Sequence, residues 1–285
     1  MIYLNGEFMP AEEAKVSVLD RGFIFGDGVY EVIPAYSRRL FRLDEHLARL
    51  QTSLDAIRLA NPHPASAWKE LIGRIVAANP WDDQTVYLQI TRGVAPREHA
   101  FPRGLKPTVF IMASPLVTPS AEQVKSGAKA IVFPDFRWLR CDIKSTSLLG
   151  NCMLRTFAAD AGCAEAILVR DGHLTEASAS NVFVVAKGTV LAPPKSHLIL
   201  PGITYDVVLE ILKANAIRHE VRPVAESELR GADEIWVTSS SKEVLAITTL
   251  DGKPVGTGKP GPVFNRVHGL YQEFKATVMR APAHA

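Results

Sequence analysis

Apolar positions recur along this chain with two different periods, and each period predicts a different kind of element. Leu43, Leu47, Leu50, Leu54 and Ile57 fall at three- and four-residue spacings. That spacing places them on one stripe of a helix over residues 43–60, for which Asp44 is the expected N-cap. Trp68, Leu71, Ile72, Ile75 and Val76 predict a second amphipathic helix over 66–79. Two runs rich in β-branched and aromatic residues, VYLQITRG (86–93) and TVFIMAS (108–114), read as strands. Further strands are expected at AKAIVF, EAILVR, NVFVV and EIWVTS, with helices near 148–162 and 204–217. Asn5-Gly6 and Asp171-Gly172 each lie between such runs, and both pairs suit a type I′ hairpin, which needs positive φ at two successive positions.

Strands and helices mix without strict βαβ alternation, which predicts α+β domains rather than one doubly wound sheet. The polar segment VTPSAEQVKSG (117–127) carries both a Pro and a Gly and is the expected boundary. The chain is read as a smaller N-terminal domain over 1–117, a connection over 118–126 and a larger C-terminal domain over 127–285. Residues 256–261 match G-x-G-x-x-G, but they contain a Pro and lie close to the C-terminus. They are read as a loop that opens no helix.

Composition narrows the function. Hydrophobic residues make up 47% of 285 positions and charged residues 22%, enough for a sizeable core. The net charge of +2 comes without a dense basic run, so neither nucleic acid nor a membrane surface is an implied partner. No apolar run approaches a bilayer span, and MIYLNGEFMP lacks the features of a signal peptide. Cys141, Cys152 and Cys163 form no close pair, which argues for reduced thiols, against a metal site and for a cytoplasmic protein.

The segment RWLRCDIKSTSLLGN (137–151) contains a lysine, Lys144, set among apolar and hydroxyl residues rather than charges. Taken alone, Lys144 reads as a solvated or paired residue, Glu176 in LTEASASNVF as a capping carboxylate, and Arg49 as an i,i+4 partner of Glu45. LPGIT (200–204) reads as a turn entering a helix, with Thr204 as N-cap. Together they suggest more. A helix start offers backbone N–H groups to a phosphate, the hydroxyls of TSSS (238–241) could face the same anion, and Arg49 could add a charge-assisted bond. A buried lysine near that anion, with a carboxylate elsewhere in the pocket, makes a set suited to pyridoxal phosphate.

Over nearly its full length the chain resembles the fold type IV pyridoxal-phosphate transaminases, and most closely the bacterial D-amino-acid transaminases. The resemblance rests on DRGFIFGDGVYEV (20–32), HLARL (46–50), TRGVAPREHAFP (91–102), RWLRCDIKS (137–145), LTEASASNVF (174–183), LPGIT and ADEIWVTSSSKE (232–243), all in order. It implies a two-domain fold, a small N-terminal α/β domain followed by a larger pseudo-barrel α/β domain, in a homodimer. It also implies that Lys144 is the Schiff-base lysine holding pyridoxal 5'-phosphate and the base that moves the substrate proton, a task for an amine whose pKa is depressed. Glu176 would face the pyridine nitrogen and keep the ring protonated. Arg49, Ile203, Thr204, Ser239 and Ser240 match the phosphate-binding positions. Tyr30, Val32, Arg97 and His99 match the substrate positions, with Arg97 and His99 brought by a loop of the neighbouring subunit to bind the α-carboxylate. Tyr205 and Ala179 depart from the pattern, where many relatives have Arg and Ser.

The resemblance thus implies transfer of the amino group of a D-amino acid, such as D-alanine or D-glutamate, to 2-oxoglutarate or pyruvate by a ping-pong scheme. Branched-chain L-amino-acid transaminases, 4-amino-4-deoxychorismate lyases and (R)-amine transaminases share the machinery, but usually lack the paired Arg and His of PREHAFP. A non-catalytic pyridoxal-phosphate carrier or a plain binding protein is the remaining alternative, set against an intact Lys144, Glu176 and phosphate set.

Overall fold

The computed structural model describes residues 1–280. The chain divides into two compact units, residues 1–116 together with 143–148, and 117–142 together with 149–285. The second unit therefore gives up six residues, Lys144 among them, to the packing of the first.

The first unit contains β1 (Ile2–Leu4), β2 (Glu7–Met9), α1 (Arg21–Phe25), β3 (Gly28–Tyr36), β4 (Arg39–Leu40), α2 (Leu43–Ala56), α3 (Ala65–Ala78), β5 (Gln84–Thr91) and β6 (Thr108–Pro115). Its strands form one antiparallel sheet in the order β2-β1-β6-β5-β3-β4. Leu47, Leu50 and Leu54 of α2 and Trp68, Ile72, Ile75 and Val76 of α3 pack on Val29, Ile33, Val86, Leu88, Ile90, Val109 and Ile111. Each such side chain contributes roughly 1.5–3 kcal/mol when fully buried. The strand period of two then has a consequence for β3. Val29, Glu31 and Ile33 share the core face beneath the helices, while Tyr30 and Val32 point to the other face.

Asn5 and Gly6 take φ of 51° and 111° between Leu4 and Glu7, which pair directly, so the first predicted hairpin is present. Helix α2 begins at Leu43 with Arg42 as N-cap in the left-handed region. Asp44 therefore lies inside the first turn rather than at the cap, where its charge still favours the helix dipole.

The second unit contains α4 (Ala121–Ser126), β7 (Ala128–Pro134), α5 (Leu149–Asp160), β8 (Glu165–Arg170), β9 (His173–Ala177), β10 (Asn181–Ala186), β11 (Thr189–Ala192), α6 (Ile203–Ala214), β12 (His219–Val221), α7 (Glu226–Arg230), β13 (Glu234–Ser239), β14 (Glu243–Leu250), β15 (Lys253–Pro254) and α8 (Pro262–Phe274). Its mixed sheet runs β12-β11-β10-β13-β14-β7-β8-β9, with β15 added to β14. Asp171 and Gly172 turn β8 into β9 with φ of 50° and 74°. The stretch read as a polar connection carries α4, started by a capping box between Ser120 and Gln123.

A helix does follow the G-x-G-x-x-G loop, because Gly261 and Pro262 start α8. Its leading amides are already used. Val263 N–H and Phe264 N–H donate to the Glu234 carboxylate at 2.9 and 2.7 Å, and Trp236 Nε1 donates to the same group. A side-chain carboxylate thus occupies the place a phosphate would take.

Gly93 follows β5 with φ of 96°, and a Cβ there would stand 2.1 Å from the backbone oxygen of Lys106. Gly93→Ala should therefore cost roughly 3 kcal/mol, combining a strained φ with a forced backbone shift. Urea unfolding of the two proteins checks this, and equal midpoints would show that the loop simply moves aside.

Candidate active site

The predicted site residues divide between the units. Tyr30, Val32, Arg49, Arg97, His99 and Lys144 belong to the first; Glu176, Ile203, Thr204, Ser239 and Ser240 belong to the second.

In the first unit, Ile143 is buried in the core and Ser145 bridges to Val29, so the intervening Lys144 is fixed by both neighbours. Its carbonyl accepts from Tyr30 N–H at 2.9 Å, and its N–H donates to Ser53 Oγ on α2 at 3.2 Å. The Lys144 ammonium lies 4.3 Å from the centre of the Tyr30 ring, a cation–π contact. Tyr30 in turn stacks on Tyr87, with centroids 5.6 Å apart. Lys144 and Tyr30 are thus brought together.

Arg49 is not the partner of Glu45, which accepts from Arg42 instead. Arg49 makes a fork onto Glu31, Nε to Oε1 at 2.8 Å and Nη2 to Oε2 at 2.7 Å. His46 Nδ1 is 2.7 Å from the same carboxylate. Burial alone would raise Glu31, but the Arg49 charge and these hydrogen bonds outweigh it and hold the carboxyl far below the usual range. His46 is pushed down by burial against the pull of Glu31, which favours a neutral ring donating through Nδ1. Its Nε2 is then a buried acceptor, unbonded among the described residues.

Arg97 and His99 lie on the exposed loop between β5 and β6. Both meet the same ring. The Arg97 guanidinium is 5.4 Å and the His99 ring 5.5 Å from the centre of Phe25.

In the second unit Glu176 ends up almost fully buried on β9. Its Oε1 accepts from Arg137 Nη1 at 2.6 Å, and its Oε2 accepts from Leu200 N–H at 3.1 Å and Asn181 Nδ2 at 3.2 Å. Arg137 also forks onto buried Asp135, with Nε and Nη2 each 2.9 Å from a carboxylate oxygen. Burial pushes the Glu176 carboxyl up to about 7, more than Arg137 and the Leu200 N–H pull it down.

Asn181 joins Glu176 to LPGIT, because its Nδ2 also donates to Leu200 O at 3.0 Å. It pairs in register with Thr238 on β13 as well. The N-cap of helix α6 lies two residues earlier than expected: it is Gly202, with Ile203 the first helical residue and Thr204 the second. No side chain caps this turn, which leaves its leading amides to an outside acceptor. The Thr238 hydroxyl, just ahead of Ser239 and Ser240, is buried and unbonded among the described residues. Uncapped amides and a buried hydroxyl suit a phosphate, and a buried carboxylate with a bound guanidinium suits a ring nitrogen.

The two departures fall in different surroundings. Tyr205 is buried, stacked on Phe183 at 5.1 Å, and its hydroxyl donates to Pro193 O. It is therefore a core residue. Ala179 is exposed between two anchored serines. Ser178 and Ser180 both donate to buried Glu165, which also takes the Lys242 ammonium at 2.6 Å.

Glu31, His46, Arg137, Asp135 and Asn181 were not singled out from the sequence. A carboxylate in the middle of an apolar strand, as in VYEVI, was the available signal for Glu31, since such a group needs a cation.

Residues 28–250 match the Amino-transferase class IV family. The chain is 42% identical to a D-alanine aminotransferase of Bacillus licheniformis over 271 residues, 95% of each chain. It is 36% identical to the D-alanine aminotransferase of Staphylococcus haemolyticus, over 96% of this chain and 97% of that one. A solved branched-chain amino acid aminotransferase of Escherichia coli superimposes with a TM-score of 0.90 at 26% identity, covering 99% of this chain and 96% of the other. With Lys144 held beside Tyr30 and Glu176 buried against Arg137, the chain belongs to the class IV aminotransferase family.

Proposed function

We propose that this protein is a pyridoxal-phosphate-dependent transaminase that moves the amino group of a D-amino acid, such as D-alanine or D-glutamate, to pyruvate or 2-oxoglutarate. The observation that carries the D-amino-acid reading is the placing of Arg97 and His99 about one phenylalanine ring on an exposed, braced loop. Sequence relatives at 36–42% identity that are named D-alanine aminotransferases support it. The branched-chain alternative draws on the solved structures, at a lower 26–29% identity.

The cofactor, when bound, supplies an electron sink for the carbanion formed at the substrate Cα. Lys144 would attach it covalently and then take the proton from Cα. Tyr30 holds the Lys144 amine over its ring, while Val32 projects from the same face of β3. Ile203 and Thr204 would offer the first amides of α6 to the phosphate, and Ser239 and Ser240 their hydroxyls. Arg49 would lend positive charge, though its guanidinium is already oriented by Glu31. Glu176 would face the ring nitrogen, with Arg137 keeping it aimed and drawing it toward its ionised form. Arg97 and His99 would bind the substrate carboxylate in a second subunit of a homodimer. Phe23, Val18 and Val94, exposed near that loop, give such a dimer apolar surface to cover. The three free thiols agree with a cytoplasmic setting.

Lys144→Ala should lower turnover by at least about 10³-fold, measured by single-turnover loss of the cofactor's visible band on adding D-alanine. A band lost at the wild-type rate would remove Lys144 from the chemistry. Arg97→Ala should lower kcat/KM for D-alanine roughly 10- to 100-fold, the worth of a hydrogen-bonded charge pair. Bleaching of the band by L-leucine but not D-alanine would instead establish the branched-chain reading.

Glu176 gives a pH test on the cofactor-free protein. Its folded value near 7 exceeds the ordinary 4.5, so the folded state holds this proton more tightly. That stability is fully present below pH 4.5 and is lost as pH rises through 7. Glu176→Gln removes the titration. Between about pH 4.5 and 8 the unfolding free energy of the wild type should fall by roughly 3 kcal/mol relative to the variant. Parallel curves from urea titrations would mean that Arg137 keeps Glu176 ionised throughout.

A further inference from the structure

Two arginines are buried in the first unit where neither the cofactor nor the substrate reading uses them. Arg21, the first residue of α1, is 2% exposed, and Arg92, after β5, is 3% exposed. Both Nε atoms donate to one oxygen of Asp27, at 2.7 and 2.8 Å. Two guanidinium groups on one carboxylate leave a positive charge in excess, and backbone carbonyls offset it. Arg92 donates to Ile57 O and Arg58 O, at the end of α2, where the helix dipole is negative. Arg21 donates to Glu98 O through Nη1 and to His99 O through Nη2.

Those last two carbonyls belong to the loop that carries Arg97 and His99. Residues 96–101 are exposed, so little burial holds them. The bracing is instead polar and aromatic. Arg21 grips two successive carbonyls and lies 4.7 Å from the Phe25 ring, and Arg92 lies 3.7 Å from the centre of Phe101. Inside the loop, the Glu98 carboxylate accepts from His99 N–H at 2.7 Å. Only a planar fork can reach Asp27 and two carbonyls at once, since a lysine ammonium is a single point of charge.

We propose that Arg21 is a positioning residue, with Asp27 and Arg92 as its support, that fixes the backbone of residues 98–99 and so sets affinity for the substrate carboxylate. The inference rests on the carboxylate-binding reading of Arg97 and His99. Amino acid and oxo acid both carry that carboxylate, so Arg21 acts on both half-reactions. It acts through binding and leaves the proton transfer at Cα to Lys144.

The test uses the holoenzyme and two variants, Arg21→Lys and Phe101→Ala. The second removes only an exposed ring and keeps the buried charges, so it should fold where the first fails. Each should raise KM for D-alanine and for 2-oxoglutarate together, roughly 10- to 100-fold for Arg21→Lys and less for Phe101→Ala, as expected when a binding group loses its position. Turnover at saturation and cofactor affinity should stay within about threefold. Trypsin cleavage after Arg97 and Arg103, mapped by mass spectrometry on the native protein, should speed up in both variants. A purely structural role would lower the melting temperature without moving KM. Unchanged cleavage, or faster cleavage with unchanged KM, overturns the proposal. Arg97→Ala separates the two failures. If that variant leaves KM unmoved, the carboxylate reading itself is wrong and the inference falls with it.

Discussion

The packing of residues 143–148 into the first unit is the constraint on which the site depends. The segment enters and leaves from the second unit's chain, yet Ile143 is buried in the first core and Ser145 bridges to Val29. Lys144 has no freedom to drift, because its backbone bonds on one side to β3 and on the other to α2. Those two elements also carry Tyr30, Glu31, His46 and Arg49. A catalytic amine on a flexible loop would lose orientation, and orientation supplies much of a catalytic barrier's reduction. Here a fixed backbone confines Lys144 before any ligand arrives.

Buried charge is managed in three ways around that constraint. Glu31 is saturated, with a guanidinium fork and an imidazole, and stays ionised at any ordinary pH. It serves as a fixed anion that orients Arg49. Glu176 has a single guanidinium, which Asp135 shares, and burial leaves its carboxyl near neutrality. Such a group responds to a cation placed beside it, which fits a carboxylate facing a protonated ring nitrogen. Asp27 reverses the ratio, one carboxylate to two arginines, and the excess charge falls onto carbonyls just past the end of α2 and in the 98–99 loop. The same chemistry thus gives an anchor, a titratable group and a brace.

The sequence carried the elements well where periodicity was strong and burial one-sided. The α2 and α3 stripes, both hairpins and the strands of β5, β6, β8, β10 and β13 lie where alternation and turn chemistry put them. Helix starts were less legible. Asp44 and Thr204 have good capping side chains, yet Arg42 and Gly202 hold those places, because backbone conformation outweighed side-chain preference. Helix α8 was missed because a Pro-containing stretch near the C-terminus reads as a loop, whereas Pro262 takes the first helical position. Only Glu234, distant in sequence, shows what its leading amides bind. The residues taken from the resemblance fell into two sets by unit, but their supports could not be read. Arg137 forks onto Asp135 two positions away and Asn181 reaches Glu176 five away. The ties of Arg137 to Glu176 and of both residues to the 198–200 segment span 19 to 61 positions, and those could not be read from local pattern.

The two departures from the relatives' pattern follow from the same separation of site and support. A tyrosine for arginine at 205 would look severe if the side chain met the phosphate. Its ring instead fills the core against Phe183, and burial pushes its hydroxyl up to about 12, so it stays neutral while donating to Pro193 O. The change at 205 therefore leaves the uncapped start of α6 and the buried Thr238 hydroxyl untouched. Ala179 removes one hydroxyl from the turn after Glu176, but Ser178 and Ser180 still tie that turn to Glu165, and Glu165 ties it to Lys242 beyond Ser239 and Ser240. One buried carboxylate thereby holds together the turn after Glu176 and the hydroxyl run at the end of β13. A single surface hydroxyl can change while that anchor stays, because the turn's geometry is set by the buried group and its flanking serines.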